Sequence, residues 1–217
     1  MRAIPPLLLA LAGFATHAAD RQLLDEVVAV VDARSITLSE VAAETRVRLA
    51  EAEGPAVANL PLDRRLLAAS LRKTIEERIV LSEIQRLKLF DLEAGEVEAL
   101  LARLRARFSS RAEYDAFTRA VELTEEEIGA ILARELRVAR YLDNRLKLAA
   151  QLRDNELDEA IRGKALTEAQ RNQLRLQLAQ EKYQRLLREL LTDLRRRTTV
   201  RVLDPLDGGD STVAAEK

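Results

Sequence analysis

Few stretches of this chain carry residues whose types and spacing suit chemistry. Glu125-Glu126-Glu127 sets three carboxylates in a row, ligand types that suit a divalent metal. Successive residues of a helix point in different directions, so the three do not converge, and an acidic helix start is the competing reading. Asp207-Gly208-Gly209-Asp210 resembles a loop for calcium or phosphate, yet it lacks the spaced ligands of a calcium loop and follows the last regular element. Paired carboxylates for glycoside chemistry need a cleft holding them roughly 5–9 Å apart, and no stretch fixes one. Tyr114, Phe117 and Tyr141 stand out because aromatics are only 3% of the chain. They either pack in the core or line an apolar groove for a polypeptide, and they are the candidate polypeptide-binding set. Cysteine is absent, and His17 is the only histidine. Without imidazole or thiolate beyond position 17, general-base catalysis by His, Cys nucleophiles and ordinary zinc sites fall away. No phosphate-binding, dinucleotide-binding or zinc-protease motif occurs. The expectation is no catalytic residue, no cofactor and no metal.

The element that must organise the rest is Asp25–Glu40, DEVVAVVDARSITLSE. Val27, Val28, Val30 and Val31 are β-branched and suit a pleated surface. Asp32–Ser35 reads as a polar turn. Thr37 to Glu40 spells a capping box, in which Glu40 would reach back to the Thr37 amide. A lone strand leaves its backbone groups unpaired. The comparable run is Thr198–Leu203, TTVRVL. The sequence therefore predicts a mainly α fold, a multi-helix core closed by a small two-stranded sheet that pairs the N-terminal and C-terminal runs.

Between these runs the pattern is helical. Leu38–Ala52 is the first helix, ended by Gly54-Pro55, and 56–62 is a linker. No proline falls between Leu62 and Asp204, which fits long helices, since proline in a helix interior costs about 3 kcal/mol. Asp63–Leu89 carries the longest apolar stripe of the first half, Leu67, Leu71, Ile75 and Ile79, and belongs at the centre of the core. Further helices are expected over Glu93–Phe108, after Ser110, from Thr124 to about Ala149, over Asp154–Arg162, and from Thr167 to about Arg196. Ser110–Glu113, Thr124–Glu127 and Thr167–Gln170 are further capping boxes. The leucines at 187–194 could form a coiled-coil seam, but Gln180 interrupts the repeat and packing within one domain is the preferred reading.

Composition bounds the class. Hydrophobic residues at 47% and charged residues at 33% describe a globular chain with a core of Leu, Ile, Val and Ala. Arg2, the apolar run Ile4–Phe14 and the small residues through Ala19 read as a cleavable export signal, too short to span a membrane. Residues 1–19 are thus expected as the signal peptide, 20–204 as one helical domain and 205–217 as a disordered tail. Removal of Arg2 leaves 34 basic and 36 acidic side chains, a net charge of −2 that does not suggest nucleic acid. The expected location is the periplasm, without stable membrane insertion.

The order of elements resembles the SurA-type periplasmic chaperone family. The resemblance rests on Asp25–Asp32 followed by Ile36-Thr37-x-Ser39-Glu40-Val41, on Leu71-x3-Ile75-Glu76-x2-Ile79-Val80-Leu81-x-Glu83, on Tyr114-x2-Phe117 and Thr124-Glu-Glu-Glu, and on Lys182–Leu203. Val121-Glu122-Leu123 stands where the family commonly has a glycine. Only Leu152–Leu166 separates the last two long helical stretches, so the parvulin-type isomerase domain that many members insert has no room. The resemblance implies an ATP-independent holdase for unfolded outer-membrane or secreted polypeptides, without prolyl isomerase activity and with outer-membrane assembly machinery as a candidate partner. The alternative is a non-catalytic docking or structural subunit of an envelope assembly complex.

Overall fold

The computed structural model describes residues 25–164 and 166–207. The expected signal peptide and the 208–217 part of the expected tail lie outside them. Three strands and eight helices occur among the described residues: β1 (Val27–Val31), β2 (Arg34–Thr37), α1 (Leu38–Ala52), α2 (Pro55–Ala58), α3 (Arg64–Leu87), α4 (Ala94–Arg105), α5 (Arg111–Ala120), α6 (Glu125–Ala150), α7 (Asp154–Ile161), α8 (Glu168–Arg195) and β3 (Val200–Val202). The protein is mainly helical with a small antiparallel sheet.

The N-terminal and C-terminal runs do meet. β3 pairs antiparallel with β1, with Ala29 opposite Val202 and Val31 opposite Val200. The sheet has a third strand, however. The expected turn at Asp32–Ser35 is only Asp32-Ala33, and Arg34–Thr37 returns as β2, which makes β1 the central strand in the order β2-β1-β3. Asp32 turns the chain at φ +55°, a conformation that Asp tolerates better than most residues. Val28 and Ala29 are consecutive yet both fully buried, which a regular strand forbids. A bulge between Val27 and Ala29 puts both against the core.

Helix starts follow their caps. Thr124 and Thr167 form complete capping boxes with Glu127 and Gln170. Ser110 accepts from the Glu113 amide, while the Glu113 carboxylate turns to Ser109. Thr37 caps α1, but the Glu40 side chain is drawn away to Arg78 on α3, so that box is only half made. Pro55 is not merely a breaker; it opens α2, where its missing N–H costs nothing.

Two hydrophobic clusters form the interior. The first joins the sheet to α3, the second half of α6 and the end of α8. The second joins the end of α1 to α4, α5 and the first half of α6. In α3, Ile79, Val80 and Leu81 are all buried, so this helix is surrounded as its stripe suggested. Leu206, assigned by sequence to the tail, is 4% exposed and packs in the first cluster. Its carbonyl accepts from Arg64 and its amide donates to Asp204.

Candidate binding grooves and the charged layer between them

The two clusters are separated by charge. On α1, Val41 belongs to the first cluster and Val47 to the second, and Glu44 and Arg48 stand between. On α6, Ile131 and Leu132 lie in the second cluster and Val138 in the first, with Arg134 and Glu135 between them. From α3, Thr74, Glu77 and Arg78 project into the same level. Each charged residue sits where the helical period calls for an apolar one, so the folding of three amphipathic helices brings the charges together.

Glu44 is the centre of this layer and is 1% exposed. One carboxylate oxygen accepts from Arg78 at 2.8 Å and from Arg134. The other accepts from Arg48 at 3.1 Å and from the Thr74 hydroxyl at 3.2 Å. All of its acceptor capacity is used. Arg48 also donates to Glu77 and to Glu135, each at 2.6 Å. Burial works against the Glu44 charge, but Arg78, Arg134 and Arg48 outweigh it and hold the carboxyl below its ordinary range. Glu77 goes the other way: burial pushes its carboxyl up, Arg48 pulls against it, and the nearby Glu135 adds to the rise.

Each end of the layer reaches a groove. Glu44 and Arg134 line one of about 330 Å³, walled by Ala43, Leu123 and Ile131. Glu77 and Glu135 line another of about 350 Å³ between α3, α6 and α8. The floor of this second groove is aliphatic, built from Val80, Val138, Leu142, Leu187 and Leu191, and its rim carries Lys73 and Glu76 as well. It lies on the surface where α8 runs back along α6 and α3. Lys182 reaches the Gln151 carbonyl at 2.9 Å, and Leu142 and Leu191 pack against the first cluster, in which Val138 is buried. The leucine stripe of α8 thus packs within the domain at its C-terminal end, where Leu194 is buried. Toward the N-terminus it is left open, with Leu176 72% exposed; Leu148 near the end of α6 is 78% exposed.

The three aromatic residues singled out by sequence do not share a groove. Tyr114 and Phe117 are each 2% exposed in the second cluster, with the Tyr114 ring edge-on to Phe108 at 5.3 Å. Tyr141 is equally buried in the first cluster, edge-on to Phe90 at 6.3 Å. In this conformation all three are packing residues. The glutamate run diverges as helix geometry requires: Glu125 pairs with Arg105 at 2.6 Å, and Glu127 turns back to Thr124. Among the described residues no group of three or more metal-ligating side chains converges, and no helix is long and apolar enough to cross a membrane. Asp207 pairs with Arg72 at 3.9 Å; the rest of the Gly/Asp loop lies outside the described residues.

Sequence reasoning missed the charged layer and the α3–α6–α8 groove. A signal for the first was present: Glu44, Arg48, Arg78 and Arg134 interrupt apolar stripes at core-facing spacing. The groove had none, because it depends on the distance between two helices that are each complete without it. No family model, no curated protein and no solved structure matches this chain.

Proposed function

We propose that this protein is an exported, ATP-independent holdase that shelters extended aliphatic segments of unfolded outer-membrane or secreted polypeptides, without prolyl isomerase or other catalytic activity. The observation that supports it best is the aliphatic groove floor with Leu187 and Leu191, together with the exposed Leu176 on α8 and Leu148 on α6. Exposed leucines and an aliphatic groove on charged helices suit a transient, many-sequence contact, since leucine side chains give contact area without directional demands. The resemblance of the strand–helix start and the C-terminal helix to SurA-type chaperones points the same way, and the leader would deliver the chain to the periplasm. The client surface in this reading is α8 with the end of α6, not Tyr114, Phe117 or Tyr141.

The test is light scattering by an outer-membrane β-barrel protein diluted from urea, without ATP, in the presence of the exported form of the chain. Slower aggregation is the expected result, and Leu176→Asp with Leu148→Asp should weaken it. Unchanged aggregation at excess protein would overturn the reading.

A second reading, a docking or structural subunit of an envelope assembly complex, draws on residues 168–181. They continue α8 past the end of α6 by about 20 Å at the helical rise. A stable one-to-one complex from envelope extract, with no effect on aggregation, would favour it.

A further inference from the structure

We propose that the α3–α6–α8 groove selects cationic aliphatic segments: stretches in which Leu, Ile or Val alternates with Arg or Lys. The inference rests on the holdase reading and names the client sequences that this groove would hold. Its volume of about 350 Å³ lies at the small end of ligand sites, which fits side chains of an extended segment rather than a folded surface. The floor, Val80, Val138, Leu142, Leu187 and Leu191, offers aliphatic contact and no hydrogen-bonding group from a side chain.

The charge at the rim sets the preference. Three carboxylates line the groove, Glu76, Glu77 and Glu135, against one cation, Lys73. Lys73 stands 3.8 Å from Glu77. Glu77 and Glu135 also receive Arg48 from behind, on the side of the charged layer. Glu76 makes no hydrogen bond or direct ion pair among the described residues. Burial pushes its carboxyl up against the pull of Arg195 and Arg72, which marks it as an under-compensated negative charge. A cation arriving beside an aliphatic anchor meets a carboxylate there; an anion meets the same carboxylate and is repelled. Another face of α8 has no such carboxylate excess: Arg185, Arg188 and Arg196 line it with Glu189 and Asp193. Selection for cations therefore belongs to this groove and not to the helix as a whole.

The experiment uses three labelled peptides of equal length, Leu alternating with Arg, with Glu or with Ser, titrated by fluorescence anisotropy into the exported form of the chain. The Leu/Arg peptide is expected to bind about tenfold tighter than the Leu/Glu peptide, with the difference shrinking at high salt. Ala139 is an exposed groove-lining residue, so Ala139→Phe fills the space without entering the core. It should weaken the Leu/Arg peptide by about tenfold, the effect of losing one buried aliphatic side chain. Glu76→Gln should narrow the Arg-over-Glu preference by about threefold, as a partly exposed charge pair allows, and leave the Leu/Ser peptide unchanged. Thermal unfolding of both variants should match the parent. Equal binding of all three peptides, or parent-like binding by Ala139→Phe, would overturn the groove proposal even if aggregation is still suppressed. Charge-selective binding that both variants weaken would uphold it even if aggregation is not suppressed, which would remove the holdase reading alone.

Discussion

Asp32 and Thr199 bind each other twice. The Asp32 amide donates to the Thr199 carbonyl at 2.7 Å, and the Thr199 amide donates to the Asp32 carboxylate at 3.0 Å. The residues are 167 positions apart, so the turn of the N-terminal hairpin is the point at which the C-terminal strand is caught. The second carboxylate oxygen of Asp32 accepts from Ser82 on α3 at 2.8 Å, which fixes the same turn to the central helix.

Asp32→Ala should therefore destabilise the protein by about 1–3 kcal/mol, from the lost hydrogen bonds to a charged acceptor and the strain of Ala at positive φ. Asp32→Gly should cost less than Ala, because it relieves the strain and loses only the bonds. Urea unfolding of the two variants separates the contributions. Removing residues 198–207 takes away β3 and the buried Leu206 together and should lower the unfolding midpoint far more than either.

The charged layer makes a larger prediction. Removing one partner of a buried ion pair leaves the others uncompensated, at a cost of about 3–5 kcal/mol. Glu44→Ala takes the shared carboxylate from Arg48, Arg78 and Arg134; Arg48 keeps Glu77 and Glu135 and Arg78 keeps Glu40, so the loss should fall at the lower end of that range in equilibrium unfolding. Glu98→Ala, which leaves Arg105 its pair with Glu125, should change stability by less than about 1 kcal/mol.

Acid dependence should follow the same residues. The folded-state pKa of Glu44 lies below its ordinary value of 4.5, so its stabilisation is complete above that pH and is lost as pH falls through the lowered value. Glu77 has the opposite sign. Its pKa is raised, so its charge costs stability at neutral pH and acidification relieves the cost. Urea midpoints taken from about pH 7 down to about pH 3 should fall steeply only below the ordinary carboxyl range. Glu44→Gln should flatten that fall, and Glu77→Gln should steepen it.

The docking of α4 on α6 depends on Gly129. A Cβ there would stand 3.2 Å from Val97 Cγ1 and 3.3 Å from Leu101 Cδ1. Gly129→Ala gains about 1 kcal/mol of helix propensity and meets an overpacking cost of about 1–3 kcal/mol, so a small net loss is expected. Gly129→Leu has no such offset and should destabilise by more than about 2 kcal/mol, with α4 losing hydrogen-exchange protection first.

How far the fold could be read in advance varies with the range of the interactions. The bounds of α1, the caps at Thr124 and Thr167, and the positive-φ stop at Gly163 depend on groups within a few residues of one another, and the sequence contains all of them. The pairing of the two end strands was legible because β1 needed a partner and one suitable run existed. β2 was hidden, since Arg34–Thr37 is polar enough to pass for a turn.

The sequence by itself determined the long helices and their starts, the meeting of the N-terminal and C-terminal runs, and the loss of imidazole and thiol chemistry beyond position 17. Tertiary structure decided what those helices do to one another. It turned Glu40 from its own helix cap to Arg78, because a guanidinium at close range outcompetes a backbone amide. It joined Glu44 to Arg134 across 90 positions, buried Tyr114, Phe117 and Tyr141, and framed an aliphatic groove where α8 meets α3 and α6. Periodicity tells which face of a helix is apolar. It does not tell how near the next helix comes, and that distance separates a core from a binding surface.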